Sequence, residues 1–333
     1  MRARPAHRGE PAGMLNVLHT NLLSPIVLAF TLGVIARLLR SEFQLPKDLY
    51  ASLSIYLLFA LGLKGGVELS HANLHQFAAP AGVTLLLGAF TPVTSYLVLR
   101  HLGRFAIPDS AAIAAHYGSV SAVTFIAAQT FVTSMGTPAE GFMPSLLTLL
   151  ESPGIHIALA IGLLQTGGGR PVRETLHEVL TGRTMVLLVG GLLVGYFMGE
   201  THWKAVQPFF EGGFKGALTL FILEMGVVAA DRIGDLRKVG GFLFGFAIVM
   251  PAIHGAAGAV LGALAGLSVG GCTVLAAMAA SASYIAAPPA TRLNLPSANP
   301  TYSLTAALAI TFPFNLVVGI PLYHAIARAV KGA

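Results

Sequence analysis

Charge is the scarcest commodity in this sequence. Only 10% of its 333 residues are Asp, Glu, Lys or Arg, where soluble domains carry about 25%. With 55% of the chain apolar, there is too little polar surface to keep a soluble protein of this length in water. Cysteine is nearly absent. The single Cys272 excludes an internal disulfide and leaves the redox compartment open. Catalytic signatures are missing too: there is no HExxH, CxxC, Walker loop or GxSxG elbow. His116 lies close to two serines but no acidic third member accompanies them, which is poor grounds for a nucleophile. The net charge of +6 is not gathered into a basic run interleaved with aromatics, so nucleic acid is not an expected partner. No secretory signal peptide is recognised in the leading tail, which carries Arg2, Arg4 and Arg8 before an apolar run that starts only after Asn16; Met14 is an alternative start.

What the chain does have is apolar runs. Spans of about 17–25 residues cross a bilayer, and ten are read here: 22–39, 49–67, 77–99, 110–132 and 142–165, then 184–198, 213–230, 242–264, 271–288 and 302–330. The expected fold is therefore an all-α polytopic membrane protein. Its organisation is a tail (1–21), a first five-helix repeat (22–165), a short basic linker (166–183) and a second five-helix repeat (184–330). Leu58-Phe59 recurs as Leu220-Phe221, Gly33 as Gly195, and Ser119-Val120-Ser121 as Ser281-Ala282-Ser283, all at an offset of about 162 residues. Five spans per half is odd, so the second half enters the membrane upside down, giving an inverted repeat. Basic residues then orient the chain. One set of loops holds Arg37, Arg40, Lys47, Arg100, Arg104, Arg170, Arg173, Arg183, Arg232, Arg237, Lys238 and Arg292. The other side holds Lys64, Lys204, Lys215, Arg328, Lys331 and the tail arginines. The first set is expected in the cytoplasm, with both termini outside.

Spans four and nine carry small hydroxyls where lipid-facing Leu or Ile is expected: Ser119 and Ser121 in HYGSVSAVTFIAA, Ser281 and Ser283 in AASASYIAAPP. One reading is close helix packing through small residues. The other is a helix broken at mid-membrane, whose exposed N–H groups and positive dipole end hold an anion. Occurrence at matching places in both halves favours the second. Glu151 and Glu224 sit well inside spans, at a cost of about 2.5–3.5 kcal/mol if ionised, and neither has an obvious Lys or Arg partner in its own span, Lys215 standing at the start of Glu224's. A bound cation would balance them. Carboxylate, hydroxyl and unwound carbonyl oxygens would suit sodium, its ligand set left open; the competing reading is a protonated or water-facing carboxyl. His116 and His254 read first as packing groups, and His116 also as a donor to an anion or a cap on the break. The run 288–300, with its four prolines, is expected to be irregular rather than helical.

GLKGG (62–66), HYGSVSAVTF (116–125), RIGDLRKV (232–239), PAIHG (251–255) and ASASYIAAPPATRLNLPSANP (280–300) resemble, in order and over nearly the whole chain, the sodium-dependent bicarbonate transporter family of cyanobacteria and other bacteria. The resemblance implies a bacterial inner-membrane homotrimer of ten-helix protomers. It implies a gate part and a moving core part, sodium-coupled bicarbonate uptake by an elevator motion, and a PII-like cytoplasmic regulator. It also implies an anion site at Gly118, Ser119, Ser121, Thr124, Ser281 and Ser283, with Tyr284 beside it where family members carry an acidic residue. The cation is expected at Glu151, Glu224 and Ser121, and no other cofactor. A proton- or sodium-coupled carrier of another small carboxylic anion and a passive anion channel are the alternatives, with an intramembrane hydrolase as the rival among enzymes.

Overall fold

The structure is a computed structural model that describes residues 21–71, 74–166, 177 and 181–332. The tail before Asn21, Arg170 and Arg173 of the linker, and Ala333 lie outside the described residues. Among the described residues the chain is 84% helical and has no strand. Its helices are α1 (Pro25–Leu38), α2 (Lys47–His71), α3 (Leu74–Leu97), α4 (Ile107–Gly118), α5 (Ala122–Ser134), α6 (Met143–Glu151) and α7 (Pro153–Thr166). They continue as α8 (Arg183–Gln207), α9 (Phe214–Asp231), α10 (Leu236–Leu264), α11 (Val269–Ala279) and α12 (Ala287–Asn294). A last run, Pro300–Lys331, passes through π-helical stretches at Ala306–Thr311 and Asn315–Gly319. Among the described residues six stretches are long and apolar enough to cross a bilayer; one of them, Arg183–Leu264, comprises α8, α9 and α10, while α1 and α11 are shorter apolar helices. This is a polytopic membrane protein.

Local chemistry explains most helix ends. Ser24 caps α1 by accepting the Val27 N–H at 3.3 Å, with Pro25 in the first turn, where its missing donor costs nothing. Gly199 (φ 62°) and Gly240 (φ 77°) interrupt α8 and α10 in a backbone region that side chains with a Cβ avoid. Pro251 removes the donor for the Ala247 carbonyl; the Thr311 hydroxyl of the last run supplies another at 2.7 Å. The run 288–300 departs from expectation. Pro288 and Pro289 fall in the first turn of α12, an eight-residue helix, and a first turn needs no N–H donors from its own residues. Only the residues beyond Asn294 are irregular until Pro300.

The helices sort into two sets by contact. In the first, α1 packs on α9 and α2 on α8. A Cβ on Gly33 would overlap the Leu223 carbonyl, and one on Gly226 the Phe30 carbonyl; Gly66 and Gly195 meet the facing backbone of α8 and α2 in the same way. Small residues thus bring backbones together where lipid supplies no hydrophobic drive between helices. Both pairs are parallel: Gly33 meets Gly226 and, about a turn further along each helix, Arg37 pairs with Asp231, while Gly62 meets Gly191 and, a turn further, Gly66 meets Leu192 and Tyr196. In the second set α3, α4 and α7 pack together, as do α10, α11 and the last run, and α11 lies against α5. One end of the molecule carries Arg37–Asp231, the Phe105–Phe242 ring pair and the Asn299 amide on Asp109. The opposite end carries Lys64–Glu211, Phe77–Phe142 and the Ser268 amide on Glu140.

Candidate functional site: two helix breaks face to face

α4 stops at Gly118 and α5 starts at Ala122, with Ser119 (φ −108°, ψ 166°) and Ser121 (φ −96°, ψ 112°) extended between them. Gly118 crosses Gly154 so closely that a Cβ on Gly154 would overlap the Gly118 carbonyl. That crossing brings a third interruption, between Glu151 and Pro153 of α6 and α7, against the first. The Ser119 hydroxyl donates to the Glu151 carbonyl at 2.8 Å. The second break, between Ala279 of α11 and Ala287 of α12, lies directly opposite.

Reciprocal hydrogen bonds join the two breaks. The Ser121 N–H donates to Ser281 Oγ at 2.9 Å, and the Ser283 N–H donates to the His116 carbonyl at 2.7 Å. The Ser121 hydroxyl accepts the Thr124 N–H at 3.2 Å and donates to the Tyr284 hydroxyl at 3.3 Å. Ser281 Oγ donates to the Met278 carbonyl at 2.8 Å, and Ser283 Oγ accepts the Ala286 N–H at 3.3 Å. Gly118, Ser119, Ser121, Thr124, Ser281 and Ser283 are all buried and Tyr284 is half-buried, its ring edge-on to Phe312. The structure therefore brings these seven residues together. α5 begins at this place, so the N–H groups of its first turn are directed toward it; α12 begins here too, but Pro288 and Pro289 remove two of its first-turn donors.

The two carboxylates part company. Glu151 is 1% exposed, and its Oε2 has no hydrogen-bond partner. Glu224 belongs to α9 in the other helix set, and its Oε2 accepts the Leu45 N–H at 2.9 Å. Beside it Tyr50 stacks on Phe221, ring centroids 4.7 Å apart, and donates to Met225 Sδ at 3.3 Å. No cluster of three or more His, Cys, Asp or Glu gathers among the described residues. His116 donates from Nδ1 to the Ala112 carbonyl (2.8 Å), leaving Nε2 buried without a partner. His254 Nε2 pairs with Thr94 at 2.8 Å, away from the breaks.

Sequence reading missed the scaffold beneath the second break. Asn315 Nδ2 donates to the Ala280 carbonyl at 2.8 Å, and its Oδ1 accepts the Tyr323 hydroxyl at 2.8 Å. Tyr117 pairs with Thr311 at 2.6 Å beside it. The available signal was Asn315 itself, a lone amide inside an apolar span.

Broken helices held against each other inside a membrane domain are the construction that carriers use to expose backbone groups to a small solute, and they define the class as a membrane transport protein. Residues 25–328 match the Na+-dependent bicarbonate transporter superfamily, and the chain belongs to it. Membership makes it a transport protein rather than an enzyme. No curated protein matches the chain.

Proposed function

We propose that the protein is a secondary active transporter that couples uptake of a small anion, bicarbonate first, to sodium. The observation that carries this reading is the reciprocal pairing of the two breaks, Ser121 to Ser281 and Ser283 to His116. A bicarbonate ion has one charge and three oxygens. N–H donors from the start of α5 and the hydroxyls of Ser119, Ser121, Ser281 and Ser283, with Gly118 and Thr124 lining the site, suit those oxygens. The α5 start contributes up to about 2 kcal/mol in a partly buried setting, and each hydroxyl bond to a charged acceptor about 1.5–3 kcal/mol. Tyr284, bonded to Ser121, closes one side. The unpartnered oxygen of Glu151 gives the cation a hard, oxygen-rich neighbourhood with nearby hydroxyls and carbonyls. The same orphaned oxygen favours one second reading, a carrier in which a proton takes the place of sodium. Glu224, engaged by Leu45, is the weaker cation ligand.

Ten spans in two inverted repeats fit the contact pattern. α1 pairs with α9 and α2 with α8, so each half lends its first span to the second span of the other. Parallel directions within both pairs suit a repeat inserted upside down. The end bearing Arg37, Arg100, Arg104, Arg232, Arg237 and Lys238 takes the cytoplasmic side by its excess of basic residues, which sets both termini outside in a bacterial inner membrane. The set of α1, α2, α8 and α9 is the gate, and the set holding the breaks is the core that moves in an elevator step. A homotrimer and a PII-like cytoplasmic regulator follow from family resemblance.

The test is uptake of labelled bicarbonate into proteoliposomes. An inward sodium gradient is expected to accelerate it severalfold over a sodium-free control. Uptake that follows a proton gradient and ignores sodium would replace the first reading with the second, and uptake that ignores both would make the protein a passive channel.

A further inference from the structure

A cavity of about 140 Å³ opens between the two helix sets, bounded by the starts of α1 and α9 on one side and by α5 and the last run on the other. This volume is far above the 10–15 Å³ that a single water needs on such a measure. Its deep wall includes Ala127, three residues past Thr124 on α5. At 1.5 Å of rise per residue, the cavity stops about 4.5 Å short of the Thr124 level, on the face that Thr124 shares with Ala127 and Phe131. The wall is mostly apolar, while Ser24, Thr130, Ser134 and Lys215 lie toward the rim. No carboxylate lines it. Lys215 has no ion pair among the described residues, whereas at the same end Lys64 is paired with Glu211 and Lys204 with Glu200. Asn21, 5% exposed, bridges the helix sets by donating to the Leu316 and Val317 carbonyls at 2.9 and 3.1 Å.

We propose that this cavity is the outer vestibule through which the transported anion reaches the helix breaks, with the ammonium of Lys215, unpaired among the described residues, drawing it in. The proposal rests on the anion-carrier reading above. An unbalanced positive charge over a cleft with low-dielectric walls focuses its field into the cleft and raises the local anion concentration.

Single cysteines at Ser134→Cys and Thr130→Cys, on a Cys272→Ala background in proteoliposomes, test it. A negatively charged methanethiosulfonate is expected to modify them at least about threefold faster than a positively charged one. Adding Lys215→Glu should reverse that preference, and saturating sodium bicarbonate should slow modification. In uptake, Lys215→Glu should raise the bicarbonate concentration for half-maximal rate about tenfold with the maximum unchanged, an effect that fades at high ionic strength. Equal rates for the two reagents overturn the proposal, as does an anion preference that bicarbonate leaves untouched. Those results with bicarbonate uptake intact break only the route; absence of uptake by the parent protein breaks the carrier reading itself.

Discussion

The two helix sets bury very different chemistry. In the core, the window through α4 and α5 is 94% buried within protein, against 44% for α3 of the same set and 50% for α2 in the gate. The core encloses three interrupted helices and a network of Ser, Thr, Tyr and Asn groups that satisfy backbone carbonyls. The gate kinks at Gly199 of α8, beyond its glycine seams, exposes Leu28, Leu32, Ile35 and Leu38 of α1, and keeps its ion pairs toward the helix ends. Backbone groups left unpaired in lipid cost several kcal/mol each, so broken helices belong where protein surrounds them. The division follows from that cost.

If the core is arranged for binding and the gate for packing, substitutions should separate transport from stability. Ser121→Leu should abolish bicarbonate uptake by filling the space between the breaks, while size-exclusion of the detergent-solubilised protein stays unchanged; measurable uptake would blur the division. Gly226→Val should do the opposite. Forcing a side chain against the Phe30 carbonyl should destabilise the gate by about 1–3 kcal/mol or more, read as a lower thermal midpoint with bicarbonate affinity retained in the folded fraction. Asn315→Leu sharpens the contrast within the core. It strands the Ala280 carbonyl at a cost of about 1–3 kcal/mol, and both thermal stability and uptake should fall together. At the bottom of the scale, Arg37→Ala breaks an ion pair whose side chains are 47% and 40% exposed, and should shift stability by less than about 1 kcal/mol.

Much of the core was legible along the chain, for a physical reason. Hydroxyls two apart at Ser119/Ser121 and Ser281/Ser283 are conspicuous inside apolar runs, and the structure opens both helices there. Likewise the sixth span was read to end at Met198 and the eighth to begin at Phe242, beside the breaks at Gly199 and Gly240. What composition could not reveal was partnership at long range. Leu45 on Glu224, Thr311 on Ala247 and Asn315 on Ala280 join residues 35 to 179 positions apart, and no local pattern encodes such pairs. A proline count over 288–300 predicts no helix because it ignores where in the helix each proline falls. At the first turn the ring is harmless.

The central claim is that the two breaks form one anion site, and bicarbonate binding by calorimetry to detergent-solubilised protein addresses it most directly. Ser121→Ala and Ser283→Ala keep small volumes and remove one hydroxyl each. Each should weaken binding about tenfold, the equivalent of about 1.4 kcal/mol. Because both hydroxyls serve one ligand, the double variant should depart from the sum of the singles by more than about 0.5 kcal/mol. Binding as tight as the parent's in both single variants would make the serines packing residues and contradict the site.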